Sequence, residues 1–220
     1  MNYNLIKNIV GLVEEFGRFN DLYTNDLEGF KKWIAANYSN SVELDIAPDW
    51  QGKDSGRTAD SVISTLLVHM NKFAKNYAKA AICDSEFSTQ EDFIYLINLR
   101  AFGKMTKMEL IRKNIQEKSV GILIINRLMS KGWVKQESSS TDKRSKIIAI
   151  TPLGSEVLDS QMQKIRDATS IVTGNLSDSE KIELITLLNK LHDFHMDIYE
   201  KNIGVEELLE KATAIKLNKK

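Results

Sequence analysis

Apolar residues along this chain recur mainly at spacings of three and four, the mark of helices that bury one face. Leu5, Ile9, Leu12, Val13, Phe16 and Phe19 form one stripe and predict an amphipathic helix from Leu5 to Leu22. A second helix follows, with Asn25 as its cap, Glu28 three residues on, and Phe30, Trp33 and Ile34 as its apolar face. The stretch 39–58, which holds Pro48, Gly52 and Gly56, reads as a linker or surface loop. Val62, Leu66, Met70, Phe73 and Tyr77, widened by Ile63, Leu67, Ala74 and Ala81, then predict one long helix from about Thr58 to Cys83.

Beyond residue 87 the helix starts are marked by capping boxes. Ser88-Thr89-Gln90-Glu91 opens a helix through about Phe102, and Thr106-Lys107-Met108-Glu109 opens a short one. An apolar-rich helix from Gln116 to Lys131 is closed by Gly132, a residue suited to the left-handed position that ends helices. The period then changes. Trp133 to Glu137 and Ser145 to Ile150 are rich in β-formers and flank the polar stretch 138–144, which predicts a β-hairpin with a basic tip. Thr151-Pro152 starts a helix to about Val172, and Ser177-Asp178-Ser179-Glu180 starts another with Ile182, Leu184, Ile185, Leu188 and Leu191 inward. A short helix around Glu206 to Ala214 completes the order.

Composition sharpens this picture by exclusion. Two prolines and 11 glycines impose few breaks on the helices. Hydrophobic residues at 42% and charged residues at 27% fit a folded globular chain, and no run approaches a membrane span. Glu14 and Glu15 break any basic-then-apolar leader, so a cytoplasmic protein without membrane association is expected. A lone cysteine, Cys83, excludes an intrachain disulfide framework and a cysteine-rich zinc site, and a buried or inert thiol is the favoured reading. There is no phosphate-binding glycine loop, nucleophile elbow or metal-protease motif, so catalysis and a cofactor are not expected.

Charge changes the picture most. The 30 basic residues balance the 30 acidic ones, which taken whole predicts no nucleic-acid partner. Residues 88–151, however, carry 12 basic against 6 acidic side chains, net +6, between acidic segments at 1–57 and 152–220 that are each net −3. A cationic block of this kind suits a polyanion.

Helix, short helix, helix, basic hairpin and long helix in that order make a winged helix-turn-helix. The expected fold class is therefore mainly α with a small β-hairpin wing (α+β). The expected segments are an amino-terminal helical extension and linker at 1–57, one long helix at 58–87, the winged helix-turn-helix at 88–151, and carboxy-terminal helices and tail at 152–220. Lys118-Ser119-Val120, Arg127 through Val134, Asp142-Lys143-Arg144-Ser145-Lys146, Ile148 to Thr151 and Leu153-Gly154 resemble the MarR family of bacterial transcriptional regulators. The resemblance runs from about Thr58 to Asn202.

That resemblance implies a helical dimerisation region, with a first dimerisation helix at 58–87 and carboxy-terminal dimerisation helices at 152–220, and a homodimer whose first and last helices interleave to present two recognition helices to a pseudo-palindromic stretch of double-stranded DNA. It implies that Arg144 enters the minor groove and that Asp142 orients it. Lys143 and Lys146, with Lys135, would add nonspecific affinity. Lys118, Ser119, Asn126 and Arg127 fall on the recognition helix, and Thr106 and Lys107 open the helix before it. A repressor is expected, with release by a small-molecule effector as an open addition and His69 as a secondary candidate for the effector pocket. The pattern departs from the family at Val120, Ile122 and Leu123, where polar side chains are usual, and at Gly121, where an apolar core residue is common. Either base reading rests on the wing and DNA shape, or this helix serves another contact. Two alternatives stay open: a winged-helix protein-interaction module with weak or no specific DNA binding, and a metal-responsive regulator using His192 and His195, which lie three apart on a predicted helix.

Overall fold

A computed structural model describes residues 3–19, 22–38, 49–138 and 146–218 of the 220-residue chain. The chain forms two compact units, residues 1–62 and 63–220. The first contains α1 (Tyr3–Phe19) and α2 (Leu27–Tyr38). Their contact is aromatic: Phe16 meets Phe30 edge-on at 5.3 Å and lies 5.5 Å from Trp33. Asp26 rather than Asn25 caps α2, because its Oδ1 accepts from the Gly29 amide at 2.8 Å. The turn before it leaves no room for a side chain at 29, where a Cβ would overlap the Thr24 carbonyl oxygen. Leu5, Ile6, Ile9, Val10 and Val13 of α1 stay exposed.

Helix α3 (Ala59–Ala81) starts at Thr58, whose Oγ1 accepts from the Ser61 amide at 3.3 Å. It leads to α4 (Gln90–Phe102), β1 (Met105–Thr106), α5 (Lys107–Lys113), α6 (Lys118–Ser130), β2 (Val134–Ser138), β3 (Lys146–Ile150), α7 (Pro152–Thr173), α8 (Asp178–Tyr199) and α9 (Val205–Asn218). The hairpin of the sequence reading gains a short third strand. The antiparallel order is β1-β3-β2, with Met105 opposite Ile148 and Val134 opposite Ile150. This strand escapes detection from sequence because only two residues pair, too few to show a period.

One core joins these elements. Tyr95, Leu96 and Leu99 of α4, Leu110 and Ile111 of α5, Ile124, Ile125 and Leu128 of α6, Ile148 of β3 and Leu158 of α7 are all buried. Trp133 sits at the junction of α6 and the sheet, with Phe87 edge-on at 5.2 Å. The α6 terminus is a Schellman motif: Gly132, at φ 72°, donates to Met129, and Trp133 donates to Leu128. Thr151 then closes the wing. Its amide donates to the Trp133 carbonyl at 2.9 Å, its hydroxyl donates to the Gly132 carbonyl, and that hydroxyl accepts from the Gly154 amide to cap α7. A Cβ at 154 would overlap the Trp133 carbonyl oxygen, which is why the Thr-x-x-Gly pattern ends in glycine.

The start of α4 also differs from expectation. Its cap is Thr89 rather than Ser88, and Asp92 rather than Glu91 turns back to accept from the Ser88 and Thr89 amides. Asp92 holds this place because its carboxylate is fully buried and has a second partner described below. The boxes at Thr106 with Glu109 and at Ser177 with Glu180 form as the sequence indicates. By contrast, α3 and α8 leave their apolar stripes in the open, including Leu66, Phe73, Ile182, Ile185 and Leu187.

Candidate nucleic-acid interface

The helix-turn-helix is built from α5 and α6, and their close crossing depends on Gly121. A Cβ there would lie 2.5 Å from Ile111 Cγ1, so the position where an apolar core residue is common holds a glycine because Ile111 already fills the space. The turn between the helices is a second Schellman motif, in which Ile115 donates to Arg112 and Gln116 donates to Ile111. Ile115 occupies its left-handed position at φ 50°, a place usually taken by glycine. Asn114 ties the turn to α4 by accepting from Asn98 Nδ2 at 2.8 Å.

With Gly121, Ile124, Ile125 and Leu128 turned inward, α6 presents Lys118, Ser119, Val120, Leu123 and Asn126 to solvent. Ile122 is half-buried against the core, so the apolar part of the outer face reduces to Val120, 41% exposed, and Leu123, 64% exposed. Arg127 has a different setting from its neighbours. Its Nε donates to Asp92 Oδ1 at 2.9 Å, and its Nη2 reaches Asp92 and the Thr89 hydroxyl. It links α6 to the start of α4. Thr106 is half-buried and spends its hydroxyl on the Glu109 amide, while Lys107 begins α5 beside it.

On the wing, Lys146 is exposed at the start of β3, and its Nζ reaches Ser138 Oγ at 3.2 Å. Asp142, Lys143 and Arg144 lie outside the described residues. Glu137 of β2 accepts from Lys104 and from Lys135, each at 2.7 Å. These two ammonium groups, Lys104 foremost, hold its carboxyl down at about 2. Lys135 is therefore paired within the sheet. Sequence reasoning missed the Lys104 clamp, since Lys104 and Glu137 are 33 residues apart.

The secondary candidates fall elsewhere. His69 is exposed on α3. Cys83 is exposed, which removes the buried alternative for this thiol: α3 ends before it and the chain turns at the surface. His192 lies 3.5 Å from Asp193, and His195 packs edge-on against Phe194. Among the described residues no three His, Cys, Asp or Glu side chains gather as a metal site, and no helix is long and apolar enough to cross a membrane.

A glycine-tightened helix-turn-helix followed by a strand-paired hairpin defines a winged-helix DNA-binding domain, and a model described as "Winged helix DNA-binding domain" matches residues 87–154. The chain belongs to the MarR family of transcriptional regulators: it is 30% identical over 106 residues to the multiple antibiotic resistance protein MarR of Salmonella typhimurium, spanning 47% of this chain and 72% of that protein. Among solved structures, the MarR family regulator Sco3205 of Streptomyces coelicolor, in complex with DNA, matches with a TM-score of 0.56 and 18% identity, over 66% of this chain and 90% of its own. BpsR of Bordetella bronchiseptica, whose DNA binding is regulated by 6-hydroxynicotinic acid, matches with a TM-score of 0.54 and 20% identity, over 59% and 98% of the two chains. At these identities the solved structures speak to the fold.

Proposed function

We propose that this regulator is a cytoplasmic repressor that binds a pseudo-palindromic duplex operator as a homodimer and is released by a small-molecule effector. The observation that carries the DNA reading is the outer edge of α6. It stands on a fully packed core and turns a cation, Lys118, a hydroxyl, Ser119, and an amide, Asn126, to solvent. An asparagine side chain suits adenine in the major groove, and Lys118 suits a phosphate. Thr106, Lys107 and Lys146 flank this edge as further phosphate ligands. The hairpin tip would deliver Arg144 to the minor groove, with Lys143 beside it and Asp142 orienting it. Arg127 contributes by fixing α6 against α4.

Support for the dimer comes from α3 and α8. Phe73 at 51% and Ile185 at 56% exposure belong to apolar faces too extensive to stay in water. Pairing them between two copies would set two α6 helices roughly 34 Å apart, one turn of DNA. Titration of the protein against its own promoter DNA at several salt concentrations tests the reading. A steep salt slope that flattens in Arg144→Ala is the expected result.

A second reading draws on Val120 and Leu123, whose exposed apolar side chains meet thymine methyls but form no hydrogen bond with a base edge. If no promoter fragment binds even at low salt, the winged helix is a protein-interaction module instead.

A further inference from the structure

Beside the α5–α6 turn lies a cavity of about 1280 Å³, bounded by α5, that turn, the carboxy-terminal part of α8 and α9. Pockets for small molecules commonly run to roughly 300–1,000 Å³. This one has room for a ligand longer than a single ring. Its wall is mixed, with an aliphatic part built by Ile111, Ile198 and Leu208 from three different helices and Phe194 and Tyr199 beside them. Helix α9, which follows the part of the chain that resembles the family, has no buried residue, yet it turns Leu208 and Ala212 to this cavity. The helix thus spends part of its apolar face on a recess that the protein itself leaves unfilled.

The rim is charged and unbalanced. Arg112 of α5 and Lys118 at the start of α6 line it, against one carboxylate, Glu117. We propose that this cavity binds a long-chain aliphatic carboxylate, with the chain against Ile111, Ile198 and Leu208 and the carboxylate on Arg112 and Lys118, and that such binding opposes DNA binding. The second half rests on the reading of α6 as the DNA-facing helix. Lys118 cannot pair with a ligand carboxylate and a DNA phosphate together, so the two ligands exclude one another in proportion. Ile115 adds a conformational route. It lines the cavity and holds the left-handed position of the turn that aims α6, so a ligand pressed against it biases that turn.

Laurate below its micellar concentration is the probe, with dodecanol and benzoate as controls, titrated calorimetrically into the full-length protein. Laurate is expected to saturate one site per chain, and both controls to bind far more weakly. Arg112→Gln weakens laurate by about tenfold or more through loss of the charged pair. Ala212→Trp occupies the part of the cavity beside Leu208 where the laurate chain would lie, abolishes laurate binding and leaves ligand-free DNA affinity unchanged. Saturating laurate lowers wild-type DNA affinity by about fivefold or more and leaves Ala212→Trp unaffected. The site is overturned if wild type binds no laurate, if dodecanol binds as tightly, or if neither variant weakens binding. Circular dichroism verifies that Ala212→Trp folds, and Arg112→Gln carries the test if it does not. Bound laurate with unchanged DNA affinity overturns the coupling. A protein that takes up laurate but binds no promoter DNA overturns the DNA reading and leaves the cavity assignment standing.

Discussion

Arg127 on α6 and Asp92 on α4 form an ion pair across the helix-turn-helix, and the carboxylate in it is fully buried. Asp92 also accepts from the Ser88 and Thr89 amides, so a single side chain caps α4 and anchors α6. Removing one partner of a buried pair leaves an uncompensated charge, which costs about 3–5 kcal/mol. The half-exposed guanidinium places the Arg127→Ala effect near the lower end. Chemical denaturation of Arg127→Ala is expected to show that loss in the midpoint. An unchanged midpoint, with DNA affinity alone reduced, would return Arg127 to the DNA-contacting set.

Two glycines separate close approach to a side chain from close approach to the backbone. Gly121→Ala meets Ile111, which is buried but has rotatable bonds, and overpacking of this kind costs about 1–3 kcal/mol. Gly154→Ala meets the Trp133 carbonyl, which is fixed by the bond from Thr151 and cannot turn away. Thermal melts should therefore rank Gly154→Ala below Gly121→Ala, and the reverse order would refute the assignment of the wing closure as the stiffer contact.

The sequence showed the helices of residues 88–173 to within a few residues because their caps are local. Thr106 with Glu109, Thr151 with Pro152 and Gly132 at the end of α6 all act over three or four positions. Long-range pairings were not legible. Arg127 reads as one more cation on a recognition helix until the fold brings Asp92, 35 residues away, beneath it. The same holds for Glu137 and Lys104, and for the cavity under α9, whose walls come from helices far apart in the chain. Ile122 shows the limit on one helix. Apolar spacing marks it with Val120 and Leu123, and only packing separates the half-buried residue from the exposed pair.

Ile115 carries backbone strain in the turn that aims α6. A β-branched residue at φ 50° costs on the order of 1–2 kcal/mol relative to glycine, and Ile115, 53% exposed, returns only part of that by burial. Ile115→Gly is expected to raise the melting temperature of the protein by a few degrees. A fall would mean that the Ile115 side chain stabilises the turn by more than its backbone strains it.

Glu137 gives the wing a pH dependence of defined sign. Its carboxyl sits at about 2 in the folded chain because Lys104 and Lys135 donate to it, against an ordinary value of 4.5. Its folded value is the lower one, so the contribution is complete above about pH 4.5 and is lost as pH falls toward 2. Comparison of wild type with Glu137→Gln by denaturation at pH 6 and pH 3 should show a gap at pH 6 that narrows at pH 3. A gap that widens in acid would contradict the pairing.

DNA binding separates the residues that read bases from those that add charge. Asn126 projects from the exposed edge of α6 with one donor group and one acceptor group free for a base edge, so Asn126→Ala should cost about 1–3 kcal/mol on the cognate operator and little on random duplex. Lys146 stands on the wing and engages the Ser138 hydroxyl, which DNA can displace at small cost. Lys146→Ala should weaken cognate and random duplex alike and reduce the slope of log affinity against log salt by about 1. Salt titrations of both variants on both duplexes measure the four quantities. An Asn126→Ala loss that is equal on the two duplexes would show that α6 positions the protein without reading sequence, and would move specificity to the wing and to DNA shape.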